Sequence, residues 1–166
     1  FAFYGPMGFD IGAFIGNLFM SYFSQDYWQK KAGREPYAYR KWILDTIEST
    51  WKQFEKKFEA LWAKHHLEKD PLYFDFPNGE IFARIQRKRF LERVFSDTLG
   101  FAACKMMRRI FGLAKVADIA DIKDLKERAR IERMTLQLGK FLITHRTKLK
   151  SIEEAIHEAK TLSPLH

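Results

Sequence analysis

A single cysteine, Cys104, stands in the 166 residues, so no internal disulfide can staple the chain, and a reducing cytoplasm suits it. No apolar run approaches the ~20 residues that a bilayer span needs, so no membrane partner is expected. There is no internal repeat, no low-complexity tract and no glycine-rich phosphate loop. The adjacent pair His65-His66 lacks a Cys, Asp or Glu at ligand spacing, and neighbouring helical side chains diverge, so it does not read as a metal site.

The residues that are present argue for a packed globule. The chain is 46% hydrophobic and 16% aromatic, at a mass of 19.7 kDa, which suits one domain with its own core. The formal charge is +8, and it is uneven. Between residues 81 and 115, nine Lys and Arg (Arg84, Arg87, Lys88, Arg89, Arg93, Lys105, Arg108, Arg109 and Lys115) face two acids, Glu92 and Asp97. Such a concentration attracts phosphate, nucleic acid or an acidic partner, whereas a solvated helix face is the plain alternative for Arg84–Arg93. No RNA- or DNA-binding signature accompanies it, so nucleic acid is not the expected partner.

Helical periodicity dominates. Ile11, Phe14, Ile15, Leu18, Phe19 and Tyr22 recur at intervals of three and four residues, which predicts a first helix opened by Asp10 as N-cap. Gly5-Pro6-Met7-Gly8 before it is turn chemistry, and Phe1–Tyr4 reads as a short extended run. Gln25–Glu35 is a polar connector. Pro36 fits the first turn of a long amphipathic helix whose Trp42, Trp51 and Trp62 read as core anchors. Asp70-Pro71 and Pro77-Asn78-Gly79 bracket an aromatic loop. One helix is then expected from Glu80 to Arg93, and another from Asp97 or Thr98 to a stop at Gly112. A helix from Leu125 to His145 follows. Ser151 to Glu154 has the form of a capping box ahead of a final short helix. These readings make a mainly α domain of about six helices with a short N-terminal extended segment.

Two places carry candidate chemistry. Asp10 reads as a cap worth about 1 kcal/mol, with no obvious nucleophile beside it for a general base. Arg108-Arg109 offers two planar guanidinium forks suited to sugar hydroxyls, carboxylates or phosphoryl oxygens. Being adjacent on a helix they point about 100° apart, so one can reach a ligand while the other pairs elsewhere, or both can serve as surface ion pairs. Met106 and Met107 read as packing, Cys104 as a small buried thiol, and Lys105 as solvated.

The passage FAFYGPMGFDIGAFIG, with Asn17-Leu18-Phe19 and Tyr22-Phe23-Ser24-Gln25, resembles the 5-methylthioribose kinases of the aminoglycoside-phosphotransferase and choline-kinase superfamily. A second block, Asp97 to Ala114 (DTLGFAACKMMRRIFGLA), resembles them too. The resemblance implies that residues 1–166 form one helical domain, the C-terminal portion of a protein-kinase-like large lobe belonging to a larger two-lobed enzyme. It implies an ATP- and Mg²⁺-dependent transfer to the 1-hydroxyl of 5-methylthioribose in methionine salvage, in a cytoplasmic, possible homodimeric enzyme. The family's His-Gly-Asp catalytic loop, its metal-binding Asp-x-Glu and its strand lysine are not found in these residues, so no catalytic or metal-binding residue is assigned here. By the same resemblance Asp10 corresponds to a brace of the catalytic loop, and Arg108 or Arg109 to a substrate-binding arginine. The alternative class is a basic nucleic-acid-binding module or a structural, dimer-forming lobe. The chain by itself is expected to lack kinase activity, and calorimetry should detect no Mg²⁺-dependent binding of ATP; a stoichiometric heat that requires Mg²⁺ would refute this.

Overall fold

The computed structural model describes residues 4–69 and 77–165, with the backbone alone for residues 65–69. The chain runs through α1 (Gly8–Lys31), α2 (Tyr37–Lys69), α3 (Gly79–Phe111), α4 (Ala117–Ala120), α5 (Leu125–His145) and α6 (Ile152–Leu162), with no strand among the described residues. Tyr4 to Pro6 carry no regular structure. The rest of the expected extended run, the 70–76 loop and the side chains of His65 and His66 lie outside the described residues.

The centre of the fold is the parallel packing of α1 on α3. Gly8, Gly12 and Gly16 recur every fourth residue and put bare backbone on one stripe of α1. A Cβ at Gly12 would lie 2.4 Å from the Thr98 carbonyl oxygen, one at Gly8 2.7 Å from the Thr98 nitrogen, and one at Gly16 2.8 Å from the Ala102 carbonyl oxygen. The helices therefore touch backbone to backbone. Gly8, expected in the turn, is instead the first residue of the helix. The cap is Met7, which makes no side-chain hydrogen bond to the helix end. Asp10 accordingly is not the N-cap but a first-turn residue, where its charge favours the positive helix end.

Two expected breaks are absent. α1 continues through the expected connector to Lys31, because Tyr27 and Trp28 pack against the core and the Trp28 indole donates to the Asp118 carbonyl at 2.7 Å. Gly33 ends it with φ +68°. Its N–H donates to the Lys30 carbonyl and that of Arg34 to the Gln29 carbonyl, a pair of bonds that a left-handed glycine makes easy. α3 likewise passes unbroken through Asp97 and Thr98, neither of which disrupts a helix. Thr98 is buried under Gly8, and Asp97 reaches out to Arg146 at 3.1 Å.

α2 and α3 run antiparallel, held by aromatic pairs: Trp51–Phe95 at 4.8 Å, Phe58–Phe90 at 5.8 Å and Trp62–Phe90 at 5.0 Å. Trp51 is thus an anchor, but Trp42 is 55% exposed and stacks on Tyr39. α5 crosses α3 through Gly139, whose missing side chain leaves room for Met107. Asp124 caps α5 by accepting from the Lys126 and Glu127 amides at 2.9 and 3.2 Å. The Ser151 capping box is incomplete: Ser151 makes no cap bond to the helix, while Glu154 accepts from the Lys150 amide at 3.0 Å.

One buried cation ties the ends together. Arg40, 1% exposed, donates to the carbonyls of Tyr22, Pro164 and Ser163 at 3.2, 2.9 and 2.9 Å and to the Ser163 hydroxyl at 2.7 Å. Its guanidinium lies 4.4 Å from the Tyr22 ring centre. All three guanidinium nitrogens donate, as a buried charge requires. Asp26 balances it 3.7 Å away and also pairs with Arg130 at 3.0 Å and Lys30 at 2.9 Å. Burial pushes the Asp26 carboxyl up, but the Lys30 bond, the Arg40 and Lys30 charges and the Arg130 bond outweigh it and hold the carboxyl below its ordinary range.

Two measurements check this architecture. Gly12→Ala should cost about 1–3 kcal/mol in urea unfolding, since backbone must move. Gly100→Ala, whose Cβ would meet only the flexible Arg146 side chain at 3.3 Å, should be neutral or gain up to about 1 kcal/mol of helix propensity; equal losses at both would disprove the close approach. A depressed carboxyl stabilises above its unfolded pKa, and that stability is lost as pH falls through the folded value. Asp26→Asn should therefore destabilise at neutral pH, and its difference from the parent chain should shrink below about pH 4. A gap that does not shrink at all as the pH is lowered from neutral into the acid range would contradict the assignment.

Candidate functional site

The last turns of α3 concentrate positive charge where the helix dipole is negative, a favourable pairing. Lys105, Arg108 and Arg109 are spaced i, i+3 and i+4, so they share one side of the helix. They are held very differently. Arg109 is half-buried and donates from one terminal nitrogen to the Ala114 carbonyl at 2.9 Å, while its Nε is buried with no partner. Its side chain borders a cavity of ≈ 140 Å³ that Lys115, Arg128 and Glu132 also line. Arg108 is exposed and its side chain, among the described residues, has no hydrogen bond or ion pair. The neighbour of the free arginine is thus tethered to a backbone carbonyl, not to the acidic side chain that the sequence reading considered.

Lys105 is half-buried, not fully solvated, with its Cβ facing Gly16 of α1. Loss of water around it, and then the charges of Arg109 and Arg108, push its ammonium pKa down. Lys115 donates to the Ile110 carbonyl, and the Gly112 amide to that of Arg108 at 2.8 Å, so the α3 end is closed around the pair. Met106 is fully buried, as expected of a packing residue. Cys104 is exposed, not buried: position 104 lies on the outer side of α3, between the buried Ala103 and the half-buried Lys105.

Asp10 is exposed and its side chain makes no hydrogen bond or ion pair among the described residues. The parallel packing sets it beside α3 near residue 98, about 15 Å along the axis from Arg108 at the helical rise. The structure does not bring Asp10 and the arginine pair into contact. Both nevertheless belong to the two helices whose register the glycine stripe locks. Sequence reading passed over Arg40, Asp26 and that stripe. The signals were present as a four-residue glycine period and as an arginine one turn ahead of the apolar row Ile43, Leu44, Ile47 and Trp51.

Among the described residues, no three His, Cys, Asp or Glu side chains gather as a protein-built metal cage would need. In that region no helix is long and apolar enough to cross a membrane.

A helical unit with a cationic helix end matches small-molecule kinases when compared with known proteins. The chain is 45% identical over 158 residues to methylthioribose kinase 2 of Oryza sativa subsp. japonica, an alignment covering 94% of this chain and 36% of that protein. It is 37% identical over 154 residues to the methylthioribose kinase of Geobacillus sp. (strain WCH70), covering 93% and 34%. For the methylthioribose kinase of Escherichia coli O45:K1 (strain S88 / ExPEC), identity is 33% over 161 residues, covering 96% and 38%. The chain therefore spans about a third of the length of these relatives, and the resemblance read from its first helix and from Asp97–Ala114 extends over nearly all of it. No family model matches the chain.

Proposed function

We propose that this chain is the sugar-binding, C-terminal portion of the large lobe of a kinase that transfers the γ-phosphoryl group of ATP to the 1-hydroxyl of 5-methylthioribose. The observation that carries the reading is the coincidence of two facts. Proteins named methylthioribose kinase align with nearly all of the chain, and the aligned unit ends α3 in an arginine pair with one free guanidinium. ATP and Mg²⁺ are assigned to sequence outside these residues, and the cytoplasm as its compartment belongs to the same reading.

The work of the chain's own residues is positioning and charge. Phosphoryl transfer needs little covalent help from the protein, so a cation fixed near the transferred group or the sugar lowers the barrier through placement. Arg109, tethered to the Ala114 carbonyl, stiffens the segment after α3. Arg108 is the fork left for the sugar hydroxyls. Lys105 and Arg109 crowd it with like charge, which an anionic or strongly hydrogen-bonding ligand relieves. Asp10, set at the start of α1, braces the catalytic loop by accepting its backbone N–H groups. A homodimer is part of this proposal, and the exposed Tyr39–Trp42 stack is the surface that supports it.

The test is made in the complete enzyme. Arg108→Ala should lower kcat/KM for 5-methylthioribose by tenfold or more, about 1.4 kcal/mol for each factor of ten, with little change in the KM for ATP. Arg108→Lys should recover only part, since an ammonium cannot reproduce the planar fork. Arg109→Ala should act more through stability than through sugar affinity. Wild-type kinetics for both alanine variants would remove the substrate assignment.

A further inference from the structure

Away from Arg108, α3 forms one bank of a second cationic feature, a groove of ≈ 810 Å³ between the α2–α3 hairpin and the turn joining α5 to α6. Its volume lies in the range of small-molecule sites. The floor is apolar: Trp51, Leu91, Phe95 and Leu149 line it, each less than a tenth exposed. The banks are basic. Lys88, Arg89 and Arg93 stand on the α3 side and Arg146 and Lys150 on the turn, against Glu55 and Glu92.

What distinguishes this groove from an ordinary charged face is that its cations stand around a buried apolar floor. Some surface cations elsewhere are matched, as Lys41 with Asp45 and Arg128 with Glu132. Among the described residues only Arg146 of the groove has an ion-pair partner, Asp97 at 3.1 Å, and that bond fixes the turn against α3. Arg89, Lys88 and the Lys150 ammonium have no ion-pair partner among the described residues, and Arg93 has only the Phe90 ring 6.0 Å away. Burial first, and then the Glu59 and Glu153 charges, push the Glu55 carboxyl up.

We propose that this groove binds an organic phosphate of up to nucleotide size, its apolar body on the Trp51–Phe95 floor and its phosphate between Arg89 and Arg93 of α3 and Lys150 of the opposite bank. Two guanidinium forks one helical turn apart, facing an ammonium across the groove, surround a tetrahedral anion with donors. The floor gives the ligand's carbon skeleton a surface to bury. Phosphate alone would use only the banks and an uncharged ring only the floor, so a ligand carrying both is favoured. The inference is independent of the role assigned to Arg108.

The test uses the full chain and phenyl phosphate as probe, titrated by calorimetry and by amide chemical shifts. Saturable one-to-one binding is expected, at least about tenfold tighter than inorganic phosphate and weakened by salt. Arg89→Ala and Lys150→Ala should each weaken it about tenfold. Arg84→Ala, on the same helix but outside the groove, should stay within about twofold. Arg89→Lys and Lys150→Arg keep the charge and should retain most of the binding, which separates loss of the site from loss of the fold. Absence of saturable binding, or equal losses in Arg84→Ala and Arg89→Ala, would overturn the proposal. So would inorganic phosphate binding as tightly as phenyl phosphate. A single-stranded RNA oligonucleotide that binds tightly and is weakened equally by Arg84→Ala and Arg89→Ala would replace the proposal with a nucleic-acid face.

Discussion

The contact between α1 and α3 constrains everything else in this domain, because two helices that meet backbone to backbone have almost no freedom of register. Gly8, Gly12 and Gly16 leave carbonyl and amide atoms of Thr98 and Ala102 where side chains would otherwise stand. The interhelical distance is then set by main chain, and the rows on either side, Ile15, Phe19 and Phe23 on α1 and Leu99, Ala103 and Met106 on α3, fall into one core. Parallel packing also has a functional consequence. It places the start of α1, with Asp10, level with the middle of α3, and leaves the arginine pair farther along α3.

Around that pair of helices the chain is closed by polar interactions whose geometry is demanding. Arg40 is the clearest case. A guanidinium stripped of water is tolerable only if each N–H finds an acceptor, and here the acceptors come from α1 and from the residues after α6. Truncating it would strand several buried carbonyls, so the network specifies where the C-terminal segment lies as much as it stabilises it. Tyr22 takes part twice, stacking on Arg40 and donating its hydroxyl to the Ser163 carbonyl, and burial pushes its phenol pKa up.

The basic character of α3 resolves into two environments. At its C-terminal end Lys105, Arg108 and Arg109 crowd together beside α1, with one fork tethered and one free. Nearer the middle, Arg89 and Arg93 line a groove with an apolar floor, whereas Arg84 faces solvent. A single run of charge in sequence thus serves different surfaces, because a helix turns its residues through all directions within four positions.

Much was legible before any coordinates. Helical periodicity located α2, α5 and α6 closely, Gly112 as the stop of α3, and the cores of α1 and α3, because burial of a stripe leaves a period that a sequence displays directly. The resemblance to 5-methylthioribose kinases was legible in the same way, in two blocks of ordered residues, and so was the candidacy of Arg108 and Arg109. Where elements end was less legible. The polar stretch after Gln25 is helical because Tyr27 and Trp28 find partners from distant parts of the chain, and Asp97-Thr98 does not break α3 because α1 covers it. Only the tertiary structure decided that Asp10 is exposed in a first turn, that Arg109 is tethered while Arg108 is free, and that Arg40 is buried. Those outcomes depend on which groups from far along the chain arrive at hydrogen-bonding distance, and local sequence carries no record of that.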